Sequence, residues 1–361
     1  MAYTTIDDPS AYFQTALYTG TGSSTQNVVN GGNSDLQPDW VWVKNRTDAR
    51  WHRLVDSSRG ASKNLYSNET DAEGTEASVT AFNSDGFSLG TDTGSDGWNE
   101  NGDAHVAWQW KANGGSRTTF NASGNQLAGG YQANTTAGFS IVDYTGNATN
   151  GATFPHGLGA TPVIAIIKDR TNAGDGGGTN WIVAYTIQDG SSDRLYLNGT
   201  NAKFDLPVGS TEFRVDFDSS NVTLGTWNNV NASGTHIAYV FTPIQGYSKF
   251  GSYTGNANAD GAFVYTGFKP AWIMIKKTNN TSQWVLHDTT RQEFNMQTKF
   301  LQANQSAAES TSSAADLDIL SNGFKLRSSD DAQNGNGDTY IYMAFAESPF
   351  VSPEGVATTA R

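Results

Sequence analysis

Five histidines, His52, His105, His156, His236 and His287, are the first residues to test for chemistry. No two stand at i, i+2 or i, i+4, the spacings that clamp a metal from one strand or one helix. His105 and His236 fall at equivalent points of an internal repeat whose third copy carries Tyr340. An acid–base catalyst is not exchanged for tyrosine, so a strand-edge structural role is expected. His287-Asp288 supplies two parts of a triad, but no Gly-x-Ser-x-Gly elbow accompanies it. Glu69, Asp71, Glu73, Glu76 and Glu309 are the carboxylates that could flank a cleft as glycosidase acids do. The first four lie in a Gly/Ala/Thr loop, and Glu73 corresponds to Glu309 between repeats, which marks a shared structural feature. The chain therefore reads as non-enzymatic, with a polysaccharide-degrading enzyme as the third choice.

Two binding chemistries remain. The segment from Asp92 to Asp103 sets hard oxygen ligands among glycines, so Asp92, Asp96 and Asp103 are candidate Ca2+ ligands. The segment lacks an oxygen ligand at the third position of an EF-hand loop and has Asp instead of Glu at the twelfth; a solvated hairpin turn is the plainer alternative. The 10 Trp, 14 Tyr and 18 Phe could offer faces that stack on sugars. Most of them lie in apolar runs and belong to a core. Trp98 and Trp227 sit beside Gly/Asn turns and are the rings expected at the surface, as candidate glycan contacts.

The elements that would position these residues come from a repeat. Tyr18-Thr19-Gly20, Tyr144-Thr145-Gly146 and Tyr253-Thr254-Gly255 each precede a proline and an apolar run ending in lysine: Pro38 to Lys44, Pro162 to Lys168 and Pro270 to Lys276. Such runs are too short for buried helices and fit strands covered on both faces. A tryptophan follows each (Trp51, Trp181, Trp284), then Leu65/Asn68, Leu195/Asn198 and Leu301/Asn304, then an alternating strand at Gly86, Asn221 or Gly323. Each unit closes on an apolar strand beginning at Val106, Ile237 or Ile341. The pattern predicts an all-β chain of three tandem antiparallel β-sandwiches of jelly-roll or lectin-like type. Expected boundaries are an N-terminal arm 1–17, repeats at 18–111, 137–243 and 244–347, a linker at 112–136 and a tail at 348–361. In the arm, Asp8-Pro9 reads as a helix start, and Tyr12, Phe13, Ala16 and Leu17 have helical spacing. Asp8, Pro9, Tyr12, Phe13 and Leu17 are thus candidates for docking on a partner.

The chain has 361 residues, 22 Lys plus Arg against 35 Asp plus Glu, a formal charge of −13 and no cysteine. The acidic balance disfavours phosphate backbones, so no nucleic-acid partner is expected. Absence of cysteine excludes disulfides and thiolate-bound metals. No basic and apolar leader opens the chain and no apolar run is long enough to span a bilayer, so a soluble product of a cytoplasm without membrane insertion is expected.

Several of the motifs, Gln37-Pro38-Asp39-Trp40-Val41-Trp42-Val43-Lys44-Asn45-Arg46, Asp56-Ser57-Ser58-Arg59-Gly60, Phe82-Asn83-Ser84-Asp85-Gly86-Phe87-Ser88-Leu89-Gly90 and Asn101-Gly102-Asp103, resemble a repeated domain of marine bacteriophage structural proteins. Tail-fibre-like and capsid-associated virion proteins of cyanophages and pelagiphages carry it. The first unit matches well, the third in part, because Asp288-Thr289-Thr290-Arg291 lacks the glycine, and the second poorly. The resemblance implies a place on the virion surface among other capsid or tail proteins, with a homo-oligomer, a trimer above all, and a host-surface glycan as possible partners. It brings no catalytic motif. It leaves open an adhesive appendage or a decorating protein that braces the particle.

Overall fold

The computed structural model describes residues 3–92, 97–171, 179–205 and 210–351, together with 354 and 356. Each of its three units is an antiparallel β-sandwich. In unit one the larger sheet runs, edge to edge, opening strand Phe13–Thr19, closing strand Ala104–Trp110, proline-run strand Trp40–Asn45, hairpin strand Arg53–Asp56. Unit two repeats the order with Phe139–Thr145, Thr235–Phe241, Ile164–Asp169 and Ile182–Tyr185, and unit three with Ser248–Thr254, Thr339–Pro349, Phe268–Lys277 and Trp284–Asp288. A second sheet of three short strands covers one face of each, for example Asn27–Val28, Gly86–Leu89 and Val79–Asn83 in unit one.

Alternation along the closing strands explains why they are apolar at consecutive positions. Ala107, Ala238 and Ala344 point into the sandwich of their own unit. Trp108 and Trp110, Tyr239 and Phe241, and Met343 and Phe345 point the other way, into a single core to which all three units contribute. Rings cross the units there: Trp40 stacks on Tyr239 at 4.1 Å between centroids, Phe13 on Phe345 at 5.4 Å, and Phe241 meets Phe345 at 5.9 Å. The expected second covered face exists, but the neighbouring units supply it.

The three units close into a ring. Lys44 Nζ donates to the Ser306 carbonyl at 3.1 Å, Lys276 Nζ to that of Thr200 at 3.3 Å and Lys168 Nζ to that of Thr70 at 3.0 Å. A second set does the same: His52 Nε2 with Gln302 O, Trp284 Nε1 with Tyr196 O, and Trp181 Nε1 with Tyr66 O. Unit one reaches three, three reaches two, and two reaches one. Head-to-tail contacts that permute in this way generate a closed pseudo-threefold ring. The same bonds correct the repeat alignment, because the equivalent of Trp181 and Trp284 is His52 and not Trp51. Each of those three residues also donates its backbone N–H to an asparagine side-chain oxygen, of Asn68, Asn198 or Asn304.

Three further expectations change. The stretch read as a docking helix is helical only at the 3-10 turn Pro9–Ala11, capped by Asp8, whose carboxylate accepts the Ser10 N–H. Phe13–Thr19 then pairs over its whole length with the closing strand. Period-two burial there, with Ala16 and Tyr18 toward the sandwich and Phe13 toward the central core, overrides the helical spacing. Unit one therefore begins before residue 18, and the arm is part of its sheet. The supposed linker 112–136 contains strands Thr118–Phe120 and Ala128–Asn134, which extend unit two's sheet beyond Phe139–Thr145.

Tyr-Thr-Gly acquires a reason. A Cβ on Gly20, Gly146 or Gly255 would stand 2.1, 2.1 or 2.4 Å from the carbonyl oxygen of Glu100, Ala232 or Gly335. Only glycine permits that approach. Among the described residues no helix is long and apolar enough to cross a membrane.

Candidate functional site

Of the three carboxylates expected at a calcium loop, Asp92 is turned inward. One of its oxygens accepts the backbone N–H groups of Gly97, Trp98 and Asn99 at 3.0 to 3.1 Å. Asp96 lies outside the described residues. Asp103 belongs to a different group, with Asp48 and Glu100, whose carboxylate oxygens lie within 4.8 Å of one another. Arg50 already supplies the positive charge at that corner, donating two bonds of 2.8 Å to Glu100 and reaching Asp48 at 3.4 Å. Asp103 also accepts from Asn45 Nδ2 at 2.7 Å.

The two rings chosen as sugar platforms are not free. Trp98 is only 4% exposed and packs in unit one's own core, with the Arg53 guanidinium 4.9 Å from its ring centroid. Its turn was legible but its direction was not, since the repeat puts Val230 and Gln333, also buried, at the same place. Trp227 is half-buried, and the Arg194 guanidinium sits 4.1 Å from its ring centroid and 4.0 Å from that of Phe213. The docking residues fare similarly. Pro9 is buried, Tyr12 packs edge-on against Tyr247 at 5.9 Å, Phe13 is in the central core, and Asp8 bonds Ser10 and Ser34. Leu17 alone is exposed, at 40%.

The histidines are interior braces. His105 and His236 stack on Tyr18 and Tyr144 at 4.8 and 5.0 Å, and Tyr340 stacks on Tyr253 at 5.0 Å. All five are fully buried, and burial pushes their pKa values down, to about 4 for His105 and His287. His52 accepts from Trp42 Nε1 on Nδ1, which leaves Nε2–H to donate to Gln302 O. Neutral, doubly occupied or stacked imidazoles of this kind do not shuttle protons at neutral pH.

Residues not singled out by sequence carry the architecture. Asn99, Asn231 and Asn334, all buried, stand six, five and six residues before His105, His236 and Tyr340. The Asn231 side chain accepts the Asn147 N–H and donates to Thr149 O and Gly225 O. Asn99 and Asn334 make the same three kinds of bond. Lys44, Lys168 and Lys276 are also fully buried; burial pushes them down to about 7, 8 and 7.

The seams between units differ in chemistry. Between units one and two, Arg59 donates to Asp56 at 2.5 Å and to Glu73 at 3.1 Å. Arg170 grips Glu73 with two bonds, and Tyr239 O–H donates to Asp56 at 2.7 Å. Between units three and one the set is repeated by Arg291, Asp288, Glu309, Arg46 and Trp108. Between units two and three the matching positions are Gln188, Tyr185, Lys203, Thr278 and Met343. There Gln188 donates to Thr278 and accepts from Tyr185. The alignment of the seams is fixed by one backbone bond in each, Glu73 N to Arg170 O, Glu309 N to Arg46 O and Lys203 N to Thr278 O. Burial pushes the Glu73 and Glu309 carboxyls up, but their arginines outweigh it and hold both below the usual carboxylate value.

Residues 8–349, which span all three units, match a family described as a domain of unknown function, DUF7483. The chain belongs to that family. The DUF7483 match begins at Asp8, the cap of the turn before unit one's first strand, and ends at Pro349, the last residue of unit three's closing strand. One DUF7483 domain is thus the whole ring rather than one sandwich. No curated protein and no solved structure matches the chain.

Proposed function

We propose that this chain is a non-enzymatic structural protein of a bacteriophage particle, displayed on its surface and bracing its neighbours. The observation that carries the reading is the use of the ionisable side chains. His52, the three lysines and the seam carboxylates and arginines bond across the units, and the other four histidines bond within their own sandwiches. Resemblance of the unit-one motifs to marine phage virion proteins supplies the particle. The adhesive version of this reading has narrower support, because Trp98 is interior and one face of Trp227 is taken by Arg194. Its remaining support is the exposed rings Trp51, Phe263 and Phe294, at 40, 47 and 74% exposure.

The test is quantitative protein composition and imaging of purified particles from a phage encoding this chain. A fixed copy number at a defined position on the head or tail is expected. Recovery of the chain only in the soluble lysate, or turnover of host polysaccharide by the purified protein, overturns the reading.

A further inference from the structure

The ring's pseudo-symmetry shows one place that is filled in one seam and open in another. In unit two the outer edge of the opening strand Phe139–Thr145 is covered by Ala128–Asn134, paired antiparallel over its whole length. In unit one the equivalent strand Phe13–Thr19 is the edge of its sheet. Lys111 N–H donates to Tyr12 O, and Gly20 N–H to Asp103 O. Antiparallel alternation then turns the even-numbered residues toward the closing strand and leaves the N–H and C=O of Thr15 and Leu17 pointing outward.

A cleft of about 510 Å³ opens beside that edge, between units one and three. Its lining includes Phe13, Thr15, Ala271, Thr289, Thr290 and Glu347. Strand registers place these at the positions of Phe139, Ile141, Asp39, Ser57, Ser58 and Ala112 in the filled seam. There the covering strand is held by side chains: Gln132 bonds Ser57 and Ser58, at 3.0 and 2.7 Å, and Asn134 donates to Ala112 O at 2.8 Å.

We propose that this cleft is a docking groove for an extended segment of a partner polypeptide, which adds antiparallel to Phe13–Thr19 as Ala128–Asn134 adds to Phe139–Thr145. Main-chain bonds to Thr15 and Leu17 give the affinity, and side-chain seats give the selectivity. The occupant is a single strand. Gly31 and Gly32 of unit one and Glu293 to Asn295 of unit three also line the cleft, and in the filled seam the strand that touches both units is Ala128–Asn134. Its chemistry follows from the filled seam: a small residue where Gly129 leaves no room for a Cβ, 2.1 Å from Asp143 O, and an amide side chain over the Thr289 and Thr290 hydroxyls. Opposite Leu17, which stands where unit two has Asp143, the filled seam places Gly130, so a small residue fits there too.

The probe is a synthetic peptide with the sequence of residues 126–136, added to the full chain and read by hydrogen exchange over residues 13–19. Expected are fast-exchanging outward amides in the free chain, slowed at least tenfold by saturating peptide. Thr290→Arg, at an exposed position in the groove wall, should weaken binding at least tenfold without changing the melting temperature. No slowing at millimolar peptide overturns the proposal, as does equal binding by Thr290→Arg. Slow outward amides without peptide, slower still as protein concentration rises, would assign the edge to a second copy of the chain and overturn it too.

Discussion

Replacing Arg59 by alanine tests whether the seams hold the ring. Both Arg59 and Asp56 have fully buried side chains. The guanidinium bonds Asp56, Glu73, Lys63 O and Leu54 O. Its removal leaves Asp56 with the Tyr239 hydroxyl and the backbone N–H of residue 59 but no buried cation, and it opens a cavity. Breaking a buried pair from one side costs about 3–5 kcal/mol. The chain also contains a neutral version of the same seam. Asp193, which accepts from Lys203 at 2.8 Å, stands there at the position of Lys63; transplanting the set, with Lys63→Asp, Asp56→Tyr, Arg59→Gln, Glu73→Lys, Arg170→Thr and Tyr239→Met together, gives seam one–two the side chains found between units two and three. Because replacing a whole buried ionic set by a packed alternative is close to neutral, the sixfold variant should lose only about 1–2 kcal/mol. Urea unfolding followed by tryptophan fluorescence, with slopes compared to confirm a common transition, reads both. A loss below about 1 kcal/mol in Arg59→Ala, or a transplant as damaged as Arg59→Ala, refutes the reasoning.

Lys44, Lys168 and Lys276 are neutral in the fold above about 7 to 8, whereas the unfolded chain keeps them protonated up to 10.5. The unfolded state therefore binds more protons in that window, and stability should climb from pH 8 to pH 10 by up to about 1.4 kcal/mol per pH unit for each lysine; a flat urea midpoint, or one unchanged in slope by Lys276→Met, counts against this. Glu73 and Glu309 have folded values below their ordinary 4.5, so their contribution is present above that pH and is lost as pH falls through the lowered values, which acid titration of the melting temperature will show. Trp98→Ala should cost about 3–5 kcal/mol as a core truncation, and a folded, fully stable variant altered only in ligand binding would restore it as a surface platform. Deleting residues 1–17 should unfold unit one, seen as loss of near-ultraviolet dichroism, because Phe13 and most of a central-core strand go with it.

The strands were legible in the sequence because their signals are local: a proline, a β-branched or aromatic run, a Gly/Asn turn. Tyr18, Tyr144 and Tyr253 even mark the same joint in each unit. Direction was harder. The apolar run Trp40 to Val43 announces burial on both faces but cannot name what covers the second, and a tandem reading left the far face unassigned. Phe13 and Ala16 mislead because a spacing of three fits a helix as well as a strand with one core residue per face. Trp98 misleads because a ring beside glycines reads as a turn decoration, although the buried Asn99 next to it fixes the loop and turns the ring inward. The arginine at Arg59 was visible as a motif, but Tyr239, to which it donates, and Arg170, with which it shares Glu73, lie more than a hundred residues away, beyond any local pattern.

Because the first and last units touch, through Phe13 with Phe345 and Trp108 with Asp288, the nascent chain cannot seal its centre until its final strand emerges. At about 5–20 residues per second, the stretch between Trp110 and Phe345 takes roughly tens of seconds to synthesise. Through that interval the indole faces of Trp40 and Trp110 wait for their cover. A chain that lacks only that final strand is thus more adhesive toward its fellows than one whose ring has closed. Ribosome stalling or truncation within the last unit should send this protein into aggregates rather than into a shorter soluble form.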